Sequence, residues 1–149
     1  MPLPLIRKAD FTRIYWATLL PGLVMLAVAW WAAQQGIGRR VDFIAVSSTP
    51  LFIGTLALVF GHGAYHRRQL QQLTQVGDHE EKVARYRRLY SFRLAVPLLI
   101  CGVCCVLLVL SGRKTFLYYG IFNLVACLFY FPSILWIRRE LQDEELEFY

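Results

Sequence analysis

The sequence predicts an all-α membrane protein with four transmembrane helices, paired as two helical hairpins around an amphipathic linker. Three observations carry that expectation. The chain is 57% hydrophobic and only 17% charged, too apolar a balance for an ordinary soluble domain of 149 residues. Its apolar residues fall into four runs of near-span length, separated by two tight polar turns and one long polar segment. Its Lys and Arg residues gather at the ends of those runs, where integral proteins meet water. The net charge of +6 therefore points to anionic lipid headgroups and not to nucleic acid.

A basic leader, MPLPLIRKADFTR, opens the chain, with Asp10 placed to cap a short interfacial helix. The first span runs over about residues 14–35, long enough at about 1.5 Å per residue to cross about 30 Å of hydrocarbon. It is too long for a usual cleaved signal segment, so Ala27-Val28-Ala29 is not read as a cleavage site. The glycine-containing turn QQGIGRRVD leads to a second span over about 43–65. There Ser47, Pro50, Gly54, Ala57, Gly61 and Ala64 recur every three or four residues and share one helical face. Small residues let a neighbouring helix approach closely, so Gly54, Ala57 and Gly61 are expected to point into the bundle.

Residues 66–93 form the long polar segment, HRRQLQQLTQVGDHEEKVARYRRLYSFR. Its first part is expected to extend the second helix to about Gln75, with Gly77 ending it in a left-handed conformation. Asp78 to Glu81 fits a capping pattern for a new helix leading into the third span, about 94–110. A turn at Ser111 to Lys114 precedes the fourth span, about 115–137. The tail, 138–149, is acidic and is expected to continue that helix into water. Each span carries one proline (Pro21, Pro50, Pro97, Pro132), read as a kink that adjusts packing.

Orientation follows from the basic residues. The leader has three, the linker seven and the start of the tail two, so twelve lie on one side against four in the two turns. The positive-inside rule then places both termini and the linker in the cytoplasm of a bacterial-type inner membrane, with the protein multi-pass. The halves also resemble each other. Arg13-Ile14-Tyr15 parallels Arg88-Leu89-Tyr90, Pro21 parallels Pro97, and RRQLQ after the second span parallels RRELQ after the fourth. A duplicated hairpin with an axis along the membrane normal would produce that pattern.

Chemistry is sparse. Cys101, Cys104 and Cys105 lie within the third span and Cys127 in the fourth, while neither turn holds a cysteine. Thiols there read as small packing residues and not as a redox pair. His62 and His66 stand one helical turn apart, a spacing able to supply two ligands, but no third ligand is apparent, so no metal and no cofactor is expected. Asn123 shares a face with Gly120 and Cys127 and is expected to bond across to another helix. No span contains a carboxylate, which argues against a proton-coupled transporter. No phosphate-binding glycine loop, metalloprotease helix or nucleophile elbow is present, and no catalytic residue is indicated.

These residues point to an accessory or interaction subunit and not to an enzyme. It would bind anionic headgroups, a protein partner or another copy of itself through Arg67, Arg68, Arg85, Arg87, Arg88 and Arg93. The alternative is a small membrane enzyme or carrier whose cytoplasm-facing cleft holds an anionic lipid-like substrate through His62, His66 and the linker arginines. In either case the tail carboxylates, Glu140 among them, are expected to neutralise part of the linker.

Overall fold

Five α-helices account for nearly all of the structure, a computed structural model that describes residues 5–6, 8–37, 48–141 and 147–148. Helix α1 spans Lys8–Gln34 and stops at Gly36, whose φ of 72° needs a residue without a Cβ. Helix α2, Ser48–Leu73, tolerates Pro50 because a first-turn residue has no amide to contribute. Asp78 caps α3 (His79–Ser111) by accepting the Glu80 amide at 3.2 Å, and Gly112 ends it at φ 65°. Helix α4 spans Lys114–Leu128 and α5 spans Ile134–Leu141. A two-residue parallel pair joins β1 (Leu5–Ile6) to β2 (Glu147–Phe148).

As its capping pattern suggests, the second half of the linker leads into the third span as one uninterrupted helix, in which nothing between Glu80 and Leu110 breaks the backbone ladder except Pro97, which the helix accommodates. Two features differ from the sequence expectation. Gly77 is not in the left-handed region; α2 ends earlier, at Leu73, where the Thr74, Gln75 and Val76 amides fold back onto Leu70, Gln72 and Leu73. The fourth apolar run is divided. The amides of Phe129, Tyr130 and Phe131 turn tightly back to Ala126, Cys127 and Leu128, and Pro132 has no amide to carry the ladder on. The helical path restarts at Ile134 as α5.

Helix α3 is the centre of the bundle, packed against α1, α2 and α4, while α2 hardly touches α1. Phe11 meets Tyr86 and Tyr90, and Gly22 faces Leu98, so α1 and α3 run in the same direction. Helix α4 runs against them, with Tyr15 beside Phe131 and Leu26 over Gly120. Positions that the internal repeat would equate, such as those around Pro21 and Pro97, thus face one another across the α1–α3 contact. The hairpins close differently, since α4 folds onto α3 whereas α2 stands away from α1.

Core packing is aromatic at one end and sulfur-rich in the middle: Phe11, Tyr15, Tyr86 and Tyr90 give way to Cys101, Cys104, Cys105 and Cys127. All four thiols are free and buried. The close approaches are at Gly22, where an added Cβ would lie 2.7 Å from Leu124, and at Gly120, where it would lie 2.7 Å from Leu26. Gly54 and Gly61 meet nothing within 4 Å, and Gly54, Ala57 and Gly61 are all exposed. The stripe on α2 therefore has no partner within the described chain, and α1 uses glycine for helix contact where α2 does not.

Among the described residues two helices, α1 and α3, are long and apolar enough to cross a membrane. Helix α4 is apolar but has only 15 residues, because the turn before Pro132 cuts it short. In α2 the glycines, His62 and His66 dilute the apolar stretch, and residues 43–47 of the expected second span lie outside the described residues.

Candidate functional site

Because α2 leans away from the bundle, a cavity of about 610 Å³ opens between α2, α3, α4 and α5. Its wall is apolar over most of its depth, with Phe52, Leu56, Val59, Ile100 and Phe122 on it. Pro97 lines it too, and Asn123 enters from α4. The polar groups concentrate at the end nearest the linker: His62, His66, Arg67, Arg93 and Glu140. Such a volume is in the range of small-molecule sites, and such a wall, apolar with a few convergent polar groups, is their usual chemistry.

A buried ionic cluster builds that polar end. Glu140 of α5 accepts from Arg93 at 2.8 Å and from Tyr86 at 2.6 Å, both on α3. His66 of α2, only 7% exposed, brings its Nε2 to 3.3 Å from Arg93 and 3.8 Å from Glu140. The Arg93 guanidinium lies 4.4 Å over the Tyr130 ring and 5.1 Å over Trp136, so aromatic faces cover what the carboxylate does not. Tyr90 donates to the Tyr130 carbonyl at 2.8 Å, fixing the turn that aims α5 back at α3.

Electrostatics follow from this packing. Burial alone would raise the Glu140 pKa; His66, Tyr86 and Arg93 outweigh it and hold the carboxyl at about 2. Burial, and then the Glu140 charge, push the Tyr86 phenol well above its ordinary range, so it acts as a donor. Tyr90 is raised as well, by burial first and by Tyr15 second.

The sequence-derived site residues are distributed unevenly. His62, His66, Arg67, Arg93 and Asn123 come together on the cavity. Asn123 is buried but donates to the Tyr119 carbonyl of its own helix at 2.8 Å, so its amide closes a helical turn and does not bridge helices. Arg85 and Arg88 line a separate groove with Tyr65, Gln69 and Phe92. Arg85 pairs with Glu81 on its own helix, and Arg87 reaches Asp10 of α1 at 2.7 Å. Arg68 is exposed and lines neither space. Arg67 makes no ion pair among the described residues.

Of the tail carboxylates, Glu140 does neutralise a linker arginine, Arg93, but inside the protein; Asp143, Glu144 and Glu145 lie outside the described residues. Tyr86, Tyr130, Trp136 and Glu140 as members of the buried cluster around Arg93 escaped the sequence reading. One signal was present. Between RRQLQ and RRELQ the matching segments differ only at Gln69 and Glu140, a neutral residue exchanged for a charge. Among the described residues no group of three or more His, Cys, Asp or Glu is arranged to hold a metal ion. No protein-family model, curated protein or solved structure matches the chain.

Proposed function

We propose that this chain is a four-span protein of a bacterial-type inner membrane, with both termini cytoplasmic, that holds an anionic lipid-like amphiphile in the α2–α4 cavity. One observation carries the binding reading: the cavity has a mostly apolar wall and a polar end lined by Arg67, an exposed side chain with no carboxylate partner among the described residues. An amphiphile matches both parts, its chain on the apolar wall and its charge at Arg67. Glu140 already balances Arg93, which leaves Arg67 as the cation for an incoming anion.

The membrane reading is supported by the exterior. Large apolar side chains are exposed on all five helices, among them Leu20, Val24 and Val28 on α1, Ile53 and Phe60 on α2, Leu99 and Val106 on α3, Phe122 on α4 and Leu135 on α5. Soluble monomers rarely present apolar surface so continuously, and lipid is its natural cover. The orientation rests on the twelve-to-four distribution of basic residues.

Native mass spectrometry of the protein extracted from membranes of phosphatidylglycerol and phosphatidylethanolamine tests this. An anionic lipid should be retained at one per chain, and Arg67→Ala should weaken retention while Arg68→Ala leaves it unchanged. Equal retention of neutral and anionic lipid, or equal effects of the two substitutions, would overturn the reading.

A second reading, docking of a partner's transmembrane helix, is favoured by the open stripe of Gly54, Ala57 and Gly61. It would make the chain an accessory subunit. Co-purification of a stoichiometric membrane partner that Gly61→Leu releases would favour it.

A further inference from the structure

His62 and His66 carry ring nitrogens that the lipid reading does not use. Both nitrogens of His62 and Nδ1 of His66 are buried with no hydrogen-bond partner. The two rings sit 6.2 Å apart, and His62 is backed by Phe92 at 5.3 Å. Buried polar atoms normally find partners, and these belong to two side chains that line the cavity.

The protonation of His66 can be worked out from its neighbours. Arg93 has only donors, so its contact with Nε2 at 3.3 Å requires Nε2 to accept if the ring is neutral. The proton of a neutral ring then sits on Nδ1. In the protonated ring both nitrogens carry protons, with Nε2 turned toward Glu140 at 3.8 Å. With Nε2 accepting from Arg93, or with both nitrogens protonated, Nδ1 is an N–H donor, and it lacks an acceptor. His62, with both nitrogens unpartnered, offers one donor and one acceptor when neutral. An acceptor group on the ligand is therefore needed on the apolar side of Arg67. His62 lies five residues up the helix from Arg67, roughly 7 Å at about 1.5 Å per residue.

We infer that the ligand is a diacyl glycerophosphate-type lipid, its phosphate at Arg67 and its ester carbonyls accepting from His62 and His66. The inference rests on the lipid-binding reading and adds the chemistry of the segment between charge and chain. Lipids with a phosphate directly on a hydrocarbon chain have no oxygens at that level and would leave the imidazole donors unmet. Ester-linked lipids satisfy both the charge and the buried N–H groups.

Diester and diether phosphatidylglycerol of equal chain length separate the two levels, since they share the phosphate and differ in the carbonyls. The probe is competition between them for the detergent-solubilised full chain, read by native mass spectrometry, with diacylglycerol, which lacks the phosphate, as the neutral reference. The diester should be preferred about tenfold, the worth of one to two hydrogen bonds. His62→Phe and His66→Phe should each lower that preference, and the double variant should abolish it. His66→Asn, whose amide N–H can reach the Nδ1 position, should keep part of it. Equal retention of diester and diether, with both held above the neutral lipid, would overturn the carbonyl contact, assign the imidazoles to bound water and leave the anion site standing. Retention of neither above the neutral lipid would remove the underlying reading as well. The wild-type comparison decides this even if a histidine variant fails to fold.

Discussion

Tyr86 and Glu140, 54 residues apart in sequence, are joined by a hydrogen bond of 2.6 Å in which the phenol donates to the carboxylate. Arg93 takes the other carboxylate oxygen at 2.8 Å, and both ionised side chains are largely buried, at 16% and 13% exposure. The last helix is therefore fastened to the central one by a charge pair and not by apolar packing alone. Breaking such a pair from one side leaves a buried charge without compensation. Glu140→Gln should lower stability by about 3 kcal/mol, and Tyr86→Phe, which leaves the pair intact, by about 1 kcal/mol. Thermal unfolding in detergent checks the ranking; an equal or larger loss for Tyr86→Phe would contradict it.

The same cluster sets a pH dependence. The Glu140 carboxyl is held at about 2 against an ordinary 4.5. A lowered folded-state pKa stabilises fully above the unfolded value, and the contribution is lost as pH falls toward the folded one. The melting difference between wild type and Glu140→Gln should be constant from pH 7 to about 4.5 and shrink from there toward 2. A difference undiminished at pH 3 would show that the carboxylate is not in the cluster.

Close helix contact runs through Gly22 and Gly120, each with a leucine 2.7 Å from where a Cβ would stand. Leucine at either position should force the α1–α4 contact apart and destabilise by at least about 2 kcal/mol. Gly54→Leu and Gly61→Leu should leave the isolated chain's melting temperature nearly unchanged, since both positions are open. Unfolding curves of the four variants in detergent make the comparison.

Topology is checked by reporter fusions. A fusion after Arg40 should report the periplasmic side and one after Tyr149 the cytoplasmic side, from the distribution of basic residues. A periplasmic C-terminus would reverse the orientation and turn the polar end of the cavity outward.

Sequence patterns were informative wherever a local rule decides structure. The apolar run over 14–35 became α1, and Asp78 caps α3 as its spacing suggests. Pro132 marks the break in the fourth run only in retrospect, because the apolar residues around it outweigh one proline in any window average. Gly54 and Gly61 misled for a related reason: a helix face left open can carry the same three-and-four spacing as one packed on another helix. Apart from its exchange with Gln69 between the two repeats, nothing in the sequence marked Glu140 as a buried residue. It stands among acidic neighbours that suggest a solvated tail, and its partners lie 47 and 54 residues upstream. Distance along the chain, and not weakness of the interaction, hid the cluster.

The order of synthesis gives that separation a further meaning. Arg93 leaves the ribosome 47 residues before Glu140, an interval of several seconds at about 5–20 residues per second. Through that interval α1, α2 and α3 can assemble, but the guanidinium at their edge has no counter-ion. Arrival of α5 supplies it, so the Arg93 charge is balanced only when that helix docks. A chain interrupted between residues 93 and 140 keeps Arg93 without its carboxylate, a mark by which unfinished copies differ chemically from finished ones.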